Sequence, residues 1–154
     1  IHRYLPIKNM VIRLHKEDSL FEILARIAAS TISGCDTVVS IPKGLGSKTI
    51  VFLLSKEGKE LTRKSKIVYQ SDDQLIEKMP EIQRIRYAAP DRVPDKVLRT
   101  AAETGFYISS IKVMMEGRIE LLQYFQNQSI CDNYHRYGNL GDRAFDQSVN
   151  LEKM

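Results

Sequence analysis

The chain has 154 residues, 43% of them apolar and 27% charged, with a net charge of +4, a size at which a single core buries roughly 70% of the unfolded surface. Its longest run without a charged side chain, Leu121 to Cys131, is far short of the roughly 18 residues of a membrane-spanning helix, and no charged-then-apolar leader opens it, so a cytoplasmic protein with no membrane span is expected. Residues 1–70 hold 12 basic and 6 acidic side chains against 11 and 13 in the rest, which without clustered readout groups predicts a solvated basic surface and no nucleic-acid partner.

His2 to Pro6 reads as an extended lead-in, because the proline biases Leu5 away from helix. Met10 to Leu14 is the first strand. Ser19 and Glu22 form a capping box for a helix in which Leu20, Ile23, Leu24, Ile27, Ala28 and Ile32 share one face. Gly34 supplies a left-handed helix end, and Thr37 to Ile41 is a β-branched, nearly all-apolar strand of the kind covered on both faces. These pieces make a right-handed βαβ unit. The 43–49 loop follows, then Ile50 to Leu54, read as a helix interrupted near Gly58.

Ile67 to Tyr69 is a short strand. Ser71 and Gln74 form a second capping box for a helix from Asp72 to Met79, ended by Pro80. Arg84 to Tyr87 alternates polar and apolar residues, which places it near a sheet edge. Pro94 opens a helix with Val97, Leu98, Ala101 and Ala102 buried, Gly105 closes it, and Phe106 to Ile108 is the next strand. Glu116 to Gln126 reads as the last helix, Ile130 to Tyr137 as a polar edge strand or flap, and Phe145 to Met154 as a frayed end. The alternation predicts an α/β fold: a Rossmann-like, open, mostly parallel sheet with helices on both faces. One domain over residues 1–143 and a flexible tail over 144–154 are expected.

The candidate chemistry is sparse. The Gly44-Leu45-Gly46-Ser47-Lys48-Thr49 loop lies where backbone N–H groups could meet a phosphate, yet it fits neither the P-loop spacing nor GxGxxG. His135 follows Cys131 by four residues with Asp132 between, but no second ligand pair exists, so no metal site is expected. Cys35, in the helix-to-strand turn, reads as a small buried thiol, and both cysteines are expected reduced. Asp72 and Asp73 read as solvated. The cluster Tyr134, His135, Arg136, Tyr137, Gly138 and Asn139 holds the residue types that dominate contact surfaces and is the predicted interface.

Two stretches carry a family resemblance. Ser19 to Pro42 resembles the aldehyde dehydrogenase cofactor domain, where a helix rich in small residues is followed by Gly, a small residue and Thr-Val-Val before a proline. Gly117 to Leu122, continuing through Gln128-Ser129-Ile130 to the Tyr134 to Gly141 cluster, resembles the extreme C-terminal region of long bacterial proline utilization A proteins, as do Arg3 to Pro6 and Asp18 to Leu20. The resemblance implies a non-catalytic aldehyde-dehydrogenase-like domain cut from a longer polypeptide, consistent with a first residue that is Ile. It would pack on the catalytic dehydrogenase module of the same polypeptide, cover the substrate passage and support a homo-oligomer. NAD, and FAD where proline dehydrogenase is present, would belong to the parent enzyme, an NAD-dependent pyrroline-5-carboxylate dehydrogenase. No cofactor is expected in this fragment, since Ile41 stands where that family has its ribose-binding lysine and the catalytic cysteine and glutamate motifs are missing. The alternative expectation is a small NAD- or phosphate-binding enzyme domain using the 43–49 loop.

Overall fold

The computed structural model describes residues 2–130. They fall into two units, Tyr4–Gln126 and a second to which the described residues 2–3 and 127–130 belong. In the second, Arg3 Nε donates to Gln128 Oε1 at 2.6 Å. Residues 131–137 of the expected flap and the expected tail lie outside the described residues.

Strands β1 (His2–Pro6) and β7 (Phe125–Ser129) form a two-stranded antiparallel ribbon. The main sheet contains β2 (Asn9–Arg13), β3 (Asp36–Pro42), β4 (Ser65–Gln70), β5 (Arg84–Arg86) and β6 (Ile108–Ser109), all parallel, in the order β4-β3-β2-β5-β6. Val11 lies opposite Val38 on one side and Ile85 on the other. This is a Rossmann-like α/β sheet, and the chain reverses direction across it between β2 and β5.

Residues two apart along a strand share a face, so each strand feeds two cores. Ile12, Leu14, Val39 and Ile41 pack with Ile23 and Ile27 of α1 (Leu20–Ser33) and Ile50 and Leu53 of α2 (Lys48–Leu54). On the other face Val11, Ile85 and Tyr87 meet Leu75 of α4 (Asp72–Glu77), Met79, and Ala101 of α5 (Asp95–Thr104). Both expected capping boxes form, and Gly34 and Gly105 take the left-handed conformation at φ of 77° and 69°.

The expected interruption near Gly58 falls three residues earlier. Ser55 ends α2 and caps α3 (Lys56–Leu61) by accepting from the Gly58 N–H at 3.2 Å. Gly58 lies inside α3 because the two helices press together there: a Cβ on it would stand 2.1 Å from the Phe52 carbonyl oxygen.

The Arg84 to Tyr87 strand, β5, lies second from the edge as its alternation suggested, paired on one side with central β2 and on the other with the short edge strand β6. Its polar alternation comes from Arg86, fully buried and joined to Glu120 by N···O contacts of 2.9 and 3.0 Å, with a further bond to the Ile111 carbonyl at 2.6 Å. The helix expected from Glu116 to Gln126 is corrected to a shorter one, α6 (Gly117–Leu121), followed by a 3-10 turn over Leu122–Tyr124 and by β7. Tyr124 is buried, its hydroxyl donates to Glu120 at 2.9 Å and its carbonyl accepts from the Ile7 N–H at 3.1 Å, so strand pairing replaces helical bonding there.

Because Glu120 also accepts from the Met114 N–H at 3.0 Å, it neutralises Arg86 and holds the segment before α6 at once. Replacing Glu120 by Ala leaves a buried guanidinium unpaired and is expected to lower the unfolding free energy by about 3–5 kcal/mol, measured by urea denaturation monitored by circular dichroism.

Candidate functional site

The carboxyl ends of β2 and β5, where the strand order reverses, are where open α/β sheets form a crevice. Three buried arginines organise it. Arg13, at the end of β2, donates to Ser40 Oγ at 2.8 Å, to the Gln70 carbonyl at 2.9 Å and to Asp72 Oδ1 at 2.6 Å. Gln70 Nε2 also donates to Ser40 Oγ at 2.8 Å, so one side chain ties together the ends of three strands. Asp72, expected to be simply solvated, is the counter-ion of this group.

On α1, Arg26 is fully buried and reaches across the strand ends, donating to the carbonyls of Arg13 at 3.0 Å and Arg86 at 3.4 Å. Its charge is met by Asp18 at 2.5 Å. Burial draws the Arg26 pKa down and Asp18 acts against that. Asp18 in turn accepts from the His15 N–H at 2.9 Å and from Arg92 at 2.8 Å, and Arg92 also pairs with Glu22 at 3.0 Å. The third arginine, Arg86, is held by Glu120 as described.

Beside these pairs lies a cleft of about 330 Å³ walled by Arg13 to Lys16, Pro42 to Leu45, Asp72, Tyr87, Arg92 and Pro94. Tyr87 is 1% exposed, and its hydroxyl has no hydrogen-bond partner; nor has the buried Nε of Arg92. Burial lifts the Tyr87 phenol above its ordinary range, with Arg13 opposing, so it is protonated and able to donate at neutral pH. Lys16 and Lys43 make no ion pair among the described residues. A larger groove of about 500 Å³ lies on the sheet near Met10, Val38 and Val68, but no buried unpartnered polar side chain lines it.

The loop suspected from sequence is divided in use. Lys43, Gly44 and Leu45 line the cleft, whereas Ser47 caps α2 by accepting from the Ile50 N–H at 3.2 Å and Lys48 begins that helix. The predicted interface residues Tyr134, His135, Arg136, Tyr137, Gly138 and Asn139 lie outside the described residues, as do Cys131 and Asp132. The Cys35 thiol donates to the Tyr124 carbonyl at 3.2 Å, and burial raises its pKa, which suits a packed thiol rather than a nucleophile. Among the described residues no three His, Cys, Asp or Glu side chains gather as metal ligands, and no helix is long and apolar enough to cross a membrane. Sequence reasoning missed Arg13, Asp18, Arg26, Tyr87 and Arg92. The available signal was Arg13 inside the otherwise apolar run Met10 to Leu14.

Fold and site define a doubly wound α/β domain with a basic crevice at its strand ends. No protein-family model and no curated protein matches the chain. Solved structures similar to it include a universal stress protein from Archaeoglobus fulgidus, 17% identical, covering 68% of this chain and 93% of that one with a TM-score of 0.42. Another is methylglyoxal synthase from Elizabethkingia anophelis NUHP1, 12% identical, covering 92% and 99% with a TM-score of 0.46. These findings correct the resemblance drawn from sequence: the neighbours are not aldehyde dehydrogenases, no family match supports a proline utilization A domain, and the association with proline catabolism is withdrawn. The α/β, Rossmann-like part of that expectation stands.

Glu22 offers a test of the ion-pair group. Burial opposes its ionisation, but hydrogen bonds from Arg92 and from the backbone and hydroxyl of Ser19 outweigh that and bring its pKa from 4.5 to about 2. A pKa depressed by folding stabilises the protein fully above the unfolded value, and the contribution is lost as pH falls through the folded one. Unfolding free energy should therefore drop between pH 4.5 and about 2, and Glu22→Gln should reduce that drop by roughly 1–2 kcal/mol after allowance for solvent screening, read from denaturant midpoints across that range.

Proposed function

We propose that the domain binds a small anionic ligand in the crevice at the carboxyl ends of its parallel strands, with Lys16 and Lys43 supplying charge and Tyr87 a hydrogen bond. The observation that carries this reading is the Tyr87 hydroxyl, buried in the wall of the cleft without a partner. Buried polar groups are normally paired, and an orphan in a cavity wall is satisfied when a ligand atom enters. The supporting charge argument is local: the lysines stand on the loops after β2 and β3, converging from two strands. Binding is favoured over catalysis because no serine or cysteine among the described residues is hydrogen-bonded to a histidine base.

Inorganic phosphate is the simplest probe. Titrated into the 15N-labelled protein, it should shift amide resonances of residues 13–16, 43–45 and 87–92, and the Lys16→Ala/Lys43→Ala double variant should bind at least tenfold more weakly with its spectrum otherwise native. Shifts confined to the groove around Lys64 and Lys66, or unaltered affinity in the double variant, would remove this reading.

A further inference from the structure

Resting on that anion-binding reading, we infer that the ligand is a dianionic phosphomonoester of mononucleotide size or smaller, its phosphate oxygens accepting from the Tyr87 hydroxyl and Arg92 Nε, and that a dinucleotide is excluded.

Charge sets the first part. The arginines of the crevice are matched by carboxylates: Arg13 by Asp72, Arg26 by Asp18, and Arg92 by Glu22 together with Asp18. Lys16 and Lys43 have no such partner, so the cleft carries about two uncompensated positive charges. A phosphomonoester bears a charge of about −1.5 to −2 at neutral pH with three acceptor oxygens, whereas a sulfate monoester or a carboxylate supplies one negative charge. The two unpartnered donors give the oxygens a place. Tyr87 follows β5 and Arg92 lies in the 3-10 turn Pro90–Arg92, so both reach the cleft from the connection after β5, whereas the lysines come from those after β2 and β3.

Space sets the second part. About 330 Å³ is near the lower bound for a small-molecule site. The position between β2 and β5, where the pyrophosphate of a dinucleotide would lie in such a sheet, is filled by the Arg26 guanidinium bonded to the Arg13 and Arg86 carbonyls. That location cannot open to a nucleotide without unmaking the Arg26–Asp18 ion pair.

Isothermal titration of the intact chain with ribose 5-phosphate, AMP, a sulfate monoester of matching size, and NAD tests the inference. Ribose 5-phosphate or AMP should bind at least tenfold more tightly than the sulfate ester, and NAD no better than inorganic phosphate. Tyr87→Phe should weaken the phosphomonoester about tenfold while leaving the unliganded protein as stable as before, because it deletes a buried hydroxyl that bonds to nothing in the protein. Equal binding of phosphate and sulfate esters or a preference for NAD would overturn the assignment and leave the anion cleft standing, whereas unchanged affinity in Tyr87→Phe would overturn both, because the unpartnered hydroxyl carries the cleft reading. Failure of every anion, inorganic phosphate included, would overturn the cleft as well.

Discussion

The Arg26 guanidinium is the constraint on which the centre of this structure depends. Where adjacent parallel strands send their connections to opposite faces of a sheet, the carbonyls at their ends lose their ladder partners, and an unpaired buried carbonyl is costly. Water fills that role in an open crevice. Here α1 lies against the strand ends and brings a fixed cation to the carbonyls of Arg13 and Arg86. A buried charge needs a counter-ion, which is Asp18; with its second oxygen Asp18 takes Arg92, and Arg92 reaches Glu22 at the start of the same helix. The capping box at Ser19 and Glu22 is thus one end of a chain of contacts that begins between the central strands.

This arrangement explains why so much of the fold was legible in the sequence and so little of the site. Caps, left-handed glycines and β-branched strands are local: Ser19 with Glu22, Ser71 with Gln74, Gly34 and Gly105 each declare their role within four residues. Arg13, Arg26 and Arg86 declare nothing locally, because what makes them buried is a partner 59, 8 or 34 residues away. An arginine in a strand reads as an edge or solvent signal until its carboxylate is known. Arg84 to Tyr87 reads as near an edge on that basis, and it does lie second from one, but Arg86 is fully buried there and does not face solvent.

The C-terminal helix failed for a related reason. Glu116 to Gln126 has a helical pattern, but Glu120 and Tyr124, one turn apart, are both committed to the Arg86 site, and the Tyr124 carbonyl accepts bonds from Ile7 and Cys35 that a continuing helix would not allow. Tertiary pairing overrode helical propensity within a single turn. The family resemblance went astray in the same direction. Its helix–glycine–strand signature describes an α/β half-unit that many doubly wound sheets need, so it carried the layer architecture correctly while carrying the ancestry and the proline-catabolic role wrongly.

What remains at the strand ends is a division of labour between paired and unpaired cations. A guanidinium bonded on several sides is part of the framework: Arg13 holds three strand ends, and moving it would expose Ser40 and Gln70 as well as Asp72. A lysine on a loop after a strand, held in no ion pair, is free to follow a ligand, and ammonium groups on flexible stems adapt to an oxyanion without a fixed angle. The cleft therefore combines a rigid floor, set by arginine–carboxylate pairs, with a compliant rim at Lys16 and Lys43. Selectivity in such a site comes from the floor, because an orphaned buried hydroxyl such as that of Tyr87 gains a full hydrogen bond only from an acceptor that penetrates to it, while the rim raises affinity for negative charge of any shape.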